Sequence, residues 1–545
     1  MRNVKDRPYA VRSRLRKKSP LLAFALALVV GALPLSSAQA ATPDDMLVIA
    51  NRIDDITTMD PAQSFEFAGS DVIRNVYSRL VNFDPMDLDA GYQPDLAESW
   101  EVSEDGMTIT FTMREGVKFH SGNPVTAEDA EFSLHRVIIL NKTPSFILTQ
   151  FGFTPENVAQ KIVAKDNTVS ITTDKKYATS FVLNCLTATV GGIVDKQTVM
   201  QNEVDGDLGN EWLKNNSAGS GAYSVKSWKP NESVTLDYNP DFYLGAPAMK
   251  RVIVRHIEES ATQRLLLEKG DVDIARNLNP EDVKGISNNS DLKVEDALRG
   301  RLMYISFNQK HPELSKPKVI EALKYLIDYE GMQNSFLDGQ WVIHQNFLPR
   351  TYFGAIDDQP YSFDVEKAKA LLAEADAEGI EFEVGVRDAQ ERLEIGQSLQ
   401  NTFAQAGITI NITVGTGKQI LTRYRARELD MYLGAWGPDY PDPQTNAGTF
   451  AYNPDNSDEA QATGLLAYRN AWDPGALTEQ VSVAVTETDT DKRRAMYEDI
   501  QRTFLKVAPF GVMFQKNEQT ALRSSVEKFN IGGAITAAAY WPITK

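Results

Sequence analysis

Between Leu433 and Pro443 the chain reads LGAWGPDYPDP, a segment that gathers two carboxylates, Asp439 and Asp442, and two aromatics, Trp436 and Tyr440, in a loop stiffened by Gly437, Pro438, Pro441 and Pro443. A cation entering a closed cleft loses its water, which costs several kcal/mol unless a carboxylate and carbonyls take the water's place. Asp439, on a backbone held by prolines, is the candidate for that replacement. Asp442 either faces the same solute or caps the loop. Trp436 and Tyr440 either form an apolar wall or pack into a core. From residue type alone, a solvated acidic turn that supports Trp436 fits the pattern as well.

Other groups able to do chemistry are poorly arranged for it. There is no His-Glu-x-x-His, and Ala218-Gly219-Ser220-Gly221-Ala222 lacks the outer glycines of a nucleophile elbow. Val414-Gly415-Thr416-Gly417-Lys418-Gln419 resembles the end of a phosphate loop but lacks the earlier glycine and the hydroxyl after the lysine, so a turn is expected. The five histidines, at 120, 135, 256, 311 and 344, form no metal-ligand pair at helical spacing, and His120 is expected to be structural. Asp84, Asp87 and Asp89 miss the calcium-loop spacing and read as a solvated turn. No catalytic residue, metal or cofactor is called for.

The elements that must position the acidic loop begin with the apolar strand DMYLGAW that runs into it. Upstream, MLVIANRI (46–53) reads as a strand, and Ser70 to Leu80 as a helix with Val72, Ile73, Val76 and Leu80 at helical spacing. Gly106 supplies a turn between two short strands, and Thr126 stands as N-cap of a helix from Ala127 through His135. Residues 223–239 form a hairpin looped at Lys229–Glu232. LMYISFN is a strand before a helix from Val319 to Ile327, and Asp364 caps an amphipathic helix. FEVGVR, IGQSLQNTFAQAG and ITINITV then alternate strand, helix and strand, so the layers are α/β.

Eight Lys/Arg and one Asp precede an apolar run from Leu21 to Leu35, and Ala38-Gln39-Ala40 offers small residues for a signal peptidase. A transmembrane anchor is the competing reading. The run is about 15 residues, shorter than the roughly 20 a spanning helix needs, and Gly31 and Pro34 interrupt it. Residues 1–40 therefore read as a cleaved signal peptide of a free periplasmic protein, with no Cys after it for a lipid anchor. Removing the leader takes the net charge from −18 to −25, which repels nucleic acid and anionic membrane surface. The single Cys185 allows no intramolecular disulfide and reads as a buried apolar residue. The remaining chain is too long for one core, so two or three domains are expected.

The stretch from 94 to 133 carries a resemblance. Leu96-Ala97-Glu98-Ser99-Trp100, Asp105-Gly106, Phe111, Arg114 to His120, Gly122, Pro124, Thr126-Ala127, Asp129 and Phe132-Ser133 are similar to the signature of the bacterial extracellular solute-binding proteins of family 5, the peptide-binding subunits of ABC importers. Asn239 to Tyr243 and Gly270 to Ala275 are similar to further landmarks of the family. The resemblance implies a two-lobed Venus-flytrap fold with an extra domain, its mixed sheets flanked by helices. Domain I would comprise 42–80, 218–300 and 518–545, domain II 81–217 and domain III 301–517, with the chain crossing between lobes near 300 and 518.

It implies too that Asp439, three residues after Trp436 and before Tyr440, salt-bridges the amino terminus of a short peptide. A cation for the peptide carboxylate would come from Arg387, with Arg392 as runner-up, and backbone groups, including those of Tyr304 to Asn308, would pair with the ligand main chain. The implied partners are a small peptide or related solute and the permease subunits of an ABC transporter, the protein itself acting as a monomer. An alternative is the same transport role for an opine, an oligosaccharide, glutathione or a chelated metal. A secreted hydrolase is the reading from the enzyme class, and it lacks a nucleophile or metal constellation.

Overall fold

The computed structural model describes residues 42–84, 91–377, 379–532 and 538–545. The leader, Asp87 and Asp89 lie outside them. Two long antiparallel strands, Leu292–Phe307 and Phe510–Arg523, organise the molecule. Across one 11-stranded sheet the order is Thr409–Gly415, Glu381–Arg387, Met431–Trp436, Leu292–Phe307, Phe510–Arg523, Ile274–Ala275, Met46–Asn51, Arg251–His256, Ser233–Tyr238 and Tyr223–Lys229, with Trp341–Ile343 paired to Phe510–Arg523. Both long strands belong to the two halves of this sheet at once, and each half is clothed on both faces. Phe382, Val384 and Leu433 fill one face of the later half and Phe450, Phe504 and Phe510 the other. In the earlier half the faces hold Ile49, Val252 and Val254, and Val48, Ala50 and Leu267.

The pairing of the long strands is interrupted. Leu298 lies opposite Asn517 and Leu302 opposite Gln515, so Arg299, Gly300 and Arg301 face Lys516 alone. Such a bulge bends the strand and re-aims its side chains. Here it falls where the sheet passes from one half to the other.

A separate four-stranded antiparallel sheet, in the order Ala97–Val102, Thr108–Met113, Thr168–Thr172 and Ile162–Lys165, packs with the helices Ala127–Leu140 and Thr179–Leu186 around Phe111, Phe151 and Phe181. The Gly106 turn and the Thr126 cap lie where the sequence places them. Gly106 has φ 73°, and Thr126 and Asp129 form a reciprocal capping box, each side chain bonded to the other's backbone N–H. Asp364 likewise caps Val365–Glu374 through the Lys367 N–H.

The helix expected over Ser70–Leu80 runs instead over Phe67–Val76. It stops early because tertiary backbone partners claim the next carbonyls. Gly221 donates to the Val76 carbonyl, Ile193 to Ser78, Leu96 to Arg79 and Ala97 to Leu80. The loop 218–222 owes its glycines to this contact, since a Cβ at Gly219 would lie 2.1 Å from the Val76 carbonyl oxygen. His120 serves the same junction, its Nε2 bonded to the Gly221 carbonyl at 2.9 Å. Residues 416–419 form a helix start, with Thr416 and Gln419 in a second capping box.

Candidate functional site

A cavity of about 950 Å³ lies where the two halves of the large sheet meet the extra domain. Its volume is at the upper end of the usual range for small-solute sites. The bulge turns Arg299 and Arg301 into its wall, where the facing strand adds Lys516 and Glu518. The helix Phe67–Val76 brings Asp71 and Arg74, the following extended segment Arg79, and the acidic loop Gly437, Pro438, Asp439 and Pro441. The start of the helix Gln390–Ala404 adds Glu391 and Glu394.

Most of these charges are already matched. Arg276 lies 2.5 Å from both Asp71 and Glu518, and Arg299 lies 3.2 Å from Glu518. Burial alone would raise the Glu518 carboxyl, but Arg276 and Arg299 outweigh it and hold the group down at about 2. Glu391 accepts from the Trp341 indole at 3.3 Å and lies 3.8 Å from Arg301. Lys516 sits over the Trp341 ring, and burial lowers its ammonium to about 8.

Asp439 is different. Its backbone N–H donates to Thr445 Oγ1 at 3.1 Å, and that hydroxyl reaches back to Oδ2 at 3.5 Å. Among the described residues it has no ion pair. Burial pushes its carboxyl up to about 7, with only the Thr445 hydroxyl acting against the shift. A cation brought into the cavity would reverse that shift by favouring the charged form.

The other residues singled out from sequence are not in the cavity wall. Asp442 is fully buried, 2.7 Å from Arg493, and caps the helix Pro443–Phe450 through the Gln444 N–H, so in this structure it is an ion-pair and cap residue outside the cavity wall. Tyr440 inserts into the extra domain's core, 5.8 Å ring to ring from Phe181, with its hydroxyl 3.3 Å from Gln150 Oε1. Trp436 packs edge-on to Phe450 at 6.0 Å. Aromatic area is more stabilising in those cores than along a wet cavity, which accounts for both placements. Arg387 lies over the helix start at Gly417, where a Cβ would meet its guanidinium. Arg392 is buried within the first turn of the helix Gln390–Ala404 and does not line the cavity.

Sequence reasoning missed Arg74, Arg79, Asp71, Arg276 and Glu518. Asp71 and Arg276 stand 205 residues apart in the chain and nothing local joins them. Arg79 did leave a signal, as a lone cation in the apolar run Val76-Tyr77-Ser78-Arg79-Leu80-Val81.

Two sheet halves joined by a pair of strands, with a charged cavity at the junction, define a two-lobed solute-binding protein. Residues 91–458 match the bacterial extracellular solute-binding proteins, family 5, middle region, and the chain belongs to that family. A probable D,D-dipeptide-binding periplasmic protein of Escherichia coli K12 is 29% identical over 90% of this chain and 92% of its own length. Among solved structures, an ABC transporter-associated periplasmic binding protein of Helicobacter pylori in complex with the peptide STSA superposes with a TM-score of 0.77 at 23% identity, covering 92% of this chain and 98% of that one. A binding protein of A. tumefaciens R10 in complex with mannopinic acid superposes with a TM-score of 0.75 at 21% identity, covering 92% and 99%. The family is one of binding proteins, and this chain's compartment is the periplasm.

Proposed function

We propose that the protein captures a short peptide in the cavity by its α-ammonium group and delivers it to the permease of an ABC importer, with no covalent chemistry. The observation that carries this reading is Asp439, a carboxylate in the cavity wall that burial has raised to about 7 and that no cation among the described residues matches. An α-ammonium supplies the missing charge and three donors. The names of the relatives support the choice of a peptide, since they bind dipeptides, tripeptides or a tetrapeptide. Closure would hinge at the bulge, with 42–80, 218–300 and 518–545 as domain I, 81–217 as domain II and 301–517 as domain III.

The test is the melting temperature of purified mature protein against a mixed di- to pentapeptide library, with mass spectrometry of the recovered ligand. Binding to the folded state alone raises the transition by mass action, by about 2.7 kcal/mol at a hundredfold excess over Kd. At least one peptide is expected to stabilise the protein and to be recovered unchanged. Turnover of peptide by pure protein would instead establish a hydrolase.

A further inference from the structure

The cavity holds a second unmatched charge, of opposite sign to Asp439. Arg79 is only 2% exposed, its Nε donates to the Ala188 carbonyl at 3.0 Å, and its Nη1 is buried with no hydrogen-bond partner among the described residues. Arg74, five residues earlier, lines the same cavity and makes no ion pair among the described residues. The nearby carboxylates Asp71 and Asp95 offset these charges only in part and without direct ion pairs to them, because both are bonded elsewhere. Asp71 is bound to Arg276, and Asp95 accepts from the Arg79 backbone N–H, Asn82 and the Tyr243 hydroxyl. Two guanidiniums thus lie beside each other at the cavity wall, Arg79 buried and Arg74 half-buried. Burial first, and the Arg79 charge next, lower the Arg74 guanidinium to about 10. A buried donor left without an acceptor is costly, and adjacent like charges add to that cost until an anion bridges them.

We propose that Arg74 and Arg79 form the subsite for the solute's carboxylate, so that the cavity recognises a zwitterion through an acidic end at Asp439 and a basic end on the opposite lobe. This assignment replaces the expected Arg387 and Arg392, neither of which reaches the cavity. It rests on the peptide reading only for the ammonium half. A planar guanidinium pair offers several N–H groups to one carboxylate, and the bidentate, charge-assisted geometry favours it over an uncharged amide. Because the basic end lies on the Phe67–Arg79 segment and the acidic end on the loop after Met431–Trp436, a zwitterion would touch both lobes and draw them together.

The experiment titrates L-alanyl-L-alanine, its C-terminal amide, its N-acetyl derivative and mannopinic acid into the wild type and into Arg74→Gln, Arg74→Lys, Arg79→Gln and Asp439→Asn by calorimetry, with circular dichroism to confirm folding. For the wild type, amidation of the dipeptide should weaken binding on the order of 30-fold or more, the range for losing one partner of a buried charge pair. In Arg74→Gln the free acid should weaken toward the level of the amide, and amidation should then cost much less than it does in the wild type. Arg74→Lys should recover part of the loss. N-acetylation should cost the same in the wild type and in Arg74→Gln but nothing further in Asp439→Asn.

Arg79→Gln should behave as Arg74→Gln does. If burial makes it unfold, the more exposed Arg74 pair of variants still decides. Equal binding of acid and amide by the wild type, or equal losses for both in Arg74→Gln, would overturn the subsite. Mannopinic acid bound in an Arg74-dependent way while dipeptide is ignored would retain the carboxylate subsite and sink the peptide reading. No binding of any of the four probes by the wild type would overturn both.

Discussion

Asp439 and Asp442 are the same residue type three positions apart, and the structure uses them in opposite ways. Asp442 neutralises the buried guanidinium of Arg493 and accepts from Asn184, whereas Asp439 has been desolvated without a counter-ion among the described residues. Breaking a buried pair by removing one partner costs about 3–5 kcal/mol. Asp442→Asn should therefore lower unfolding free energy by that order in a denaturant titration, while Asp439→Asn should leave stability unchanged or raise it. The pH dependence of binding separates them further. The free Asp439 carboxyl sits at about 7, and a bound ammonium lowers it, so binding releases a proton. Affinity should fall as pH drops through 7, and that acid limb should be absent in Asp439→Asn. Calorimetry in buffers of different ionisation enthalpy would detect the released proton, and a profile rising toward acid would remove the assignment. The sequence marked the right loop because proline, glycine and carboxylates coincide there. It left open which carboxylate faces solute, because the deciding partner, Arg493, lies fifty-one residues on.

At the scale of elements, what is local was legible. The capping boxes at Thr126 and Thr416, the Gly106 turn and the strand into Trp436 are all set by residues within a few positions of each other. What the chain does between elements was not. The helix from Phe67 ends at Val76 because backbone from 193, 96, 97 and 221 takes over its last carbonyls, and that early end puts Arg79 on an extended segment, where it lines the cavity. The 218–222 loop illustrates the same physics. Its glycines admit the Val76 backbone, and Ser220 between them is buried with an unpartnered hydroxyl. Gly219→Ala should thus destabilise by about 1–3 kcal/mol, as overpacking does. Ser220→Ala should be neutral or stabilising, because it removes an unsatisfied buried group. Chemical denaturation of the two variants checks both.

Across the whole molecule, the loop that carries Asp439 also joins the lobes. Tyr440 stands in the aromatic core around Phe181, Asn184 donates to Asp442 at 3.2 Å, and Phe67 of the earlier lobe lies against Gly437. Closing the lobes over an empty cavity would strand an unpaired carboxylate at one end and two guanidiniums at the other. A zwitterion removes both penalties, so its binding energy is realised in the closed state and shifts the hinge equilibrium toward it. The bulge at 299–301, where three residues oppose one, is the place along the two long strands with the fewest ladder bonds to resist bending. Ligand should therefore raise hydrogen-exchange protection at 434–443, at 299–301 and 515–518, and in the helix Thr179–Leu186 that receives Tyr440, while the cores of Phe382 and Val252 remain as protected as before. Small-angle scattering should show a smaller radius of gyration with secondary structure unchanged. Tyr440→Ala, at a residue outside the cavity wall, should weaken both the closure and the affinity by removing the ring from the facing core, on the order of the 3–5 kcal/mol seen for large aromatic truncations less what the open state already forgoes. Protection confined to 81–217 would place the solute in the extra domain instead, and an unaltered affinity in Tyr440→Ala would uncouple the acidic loop from closure.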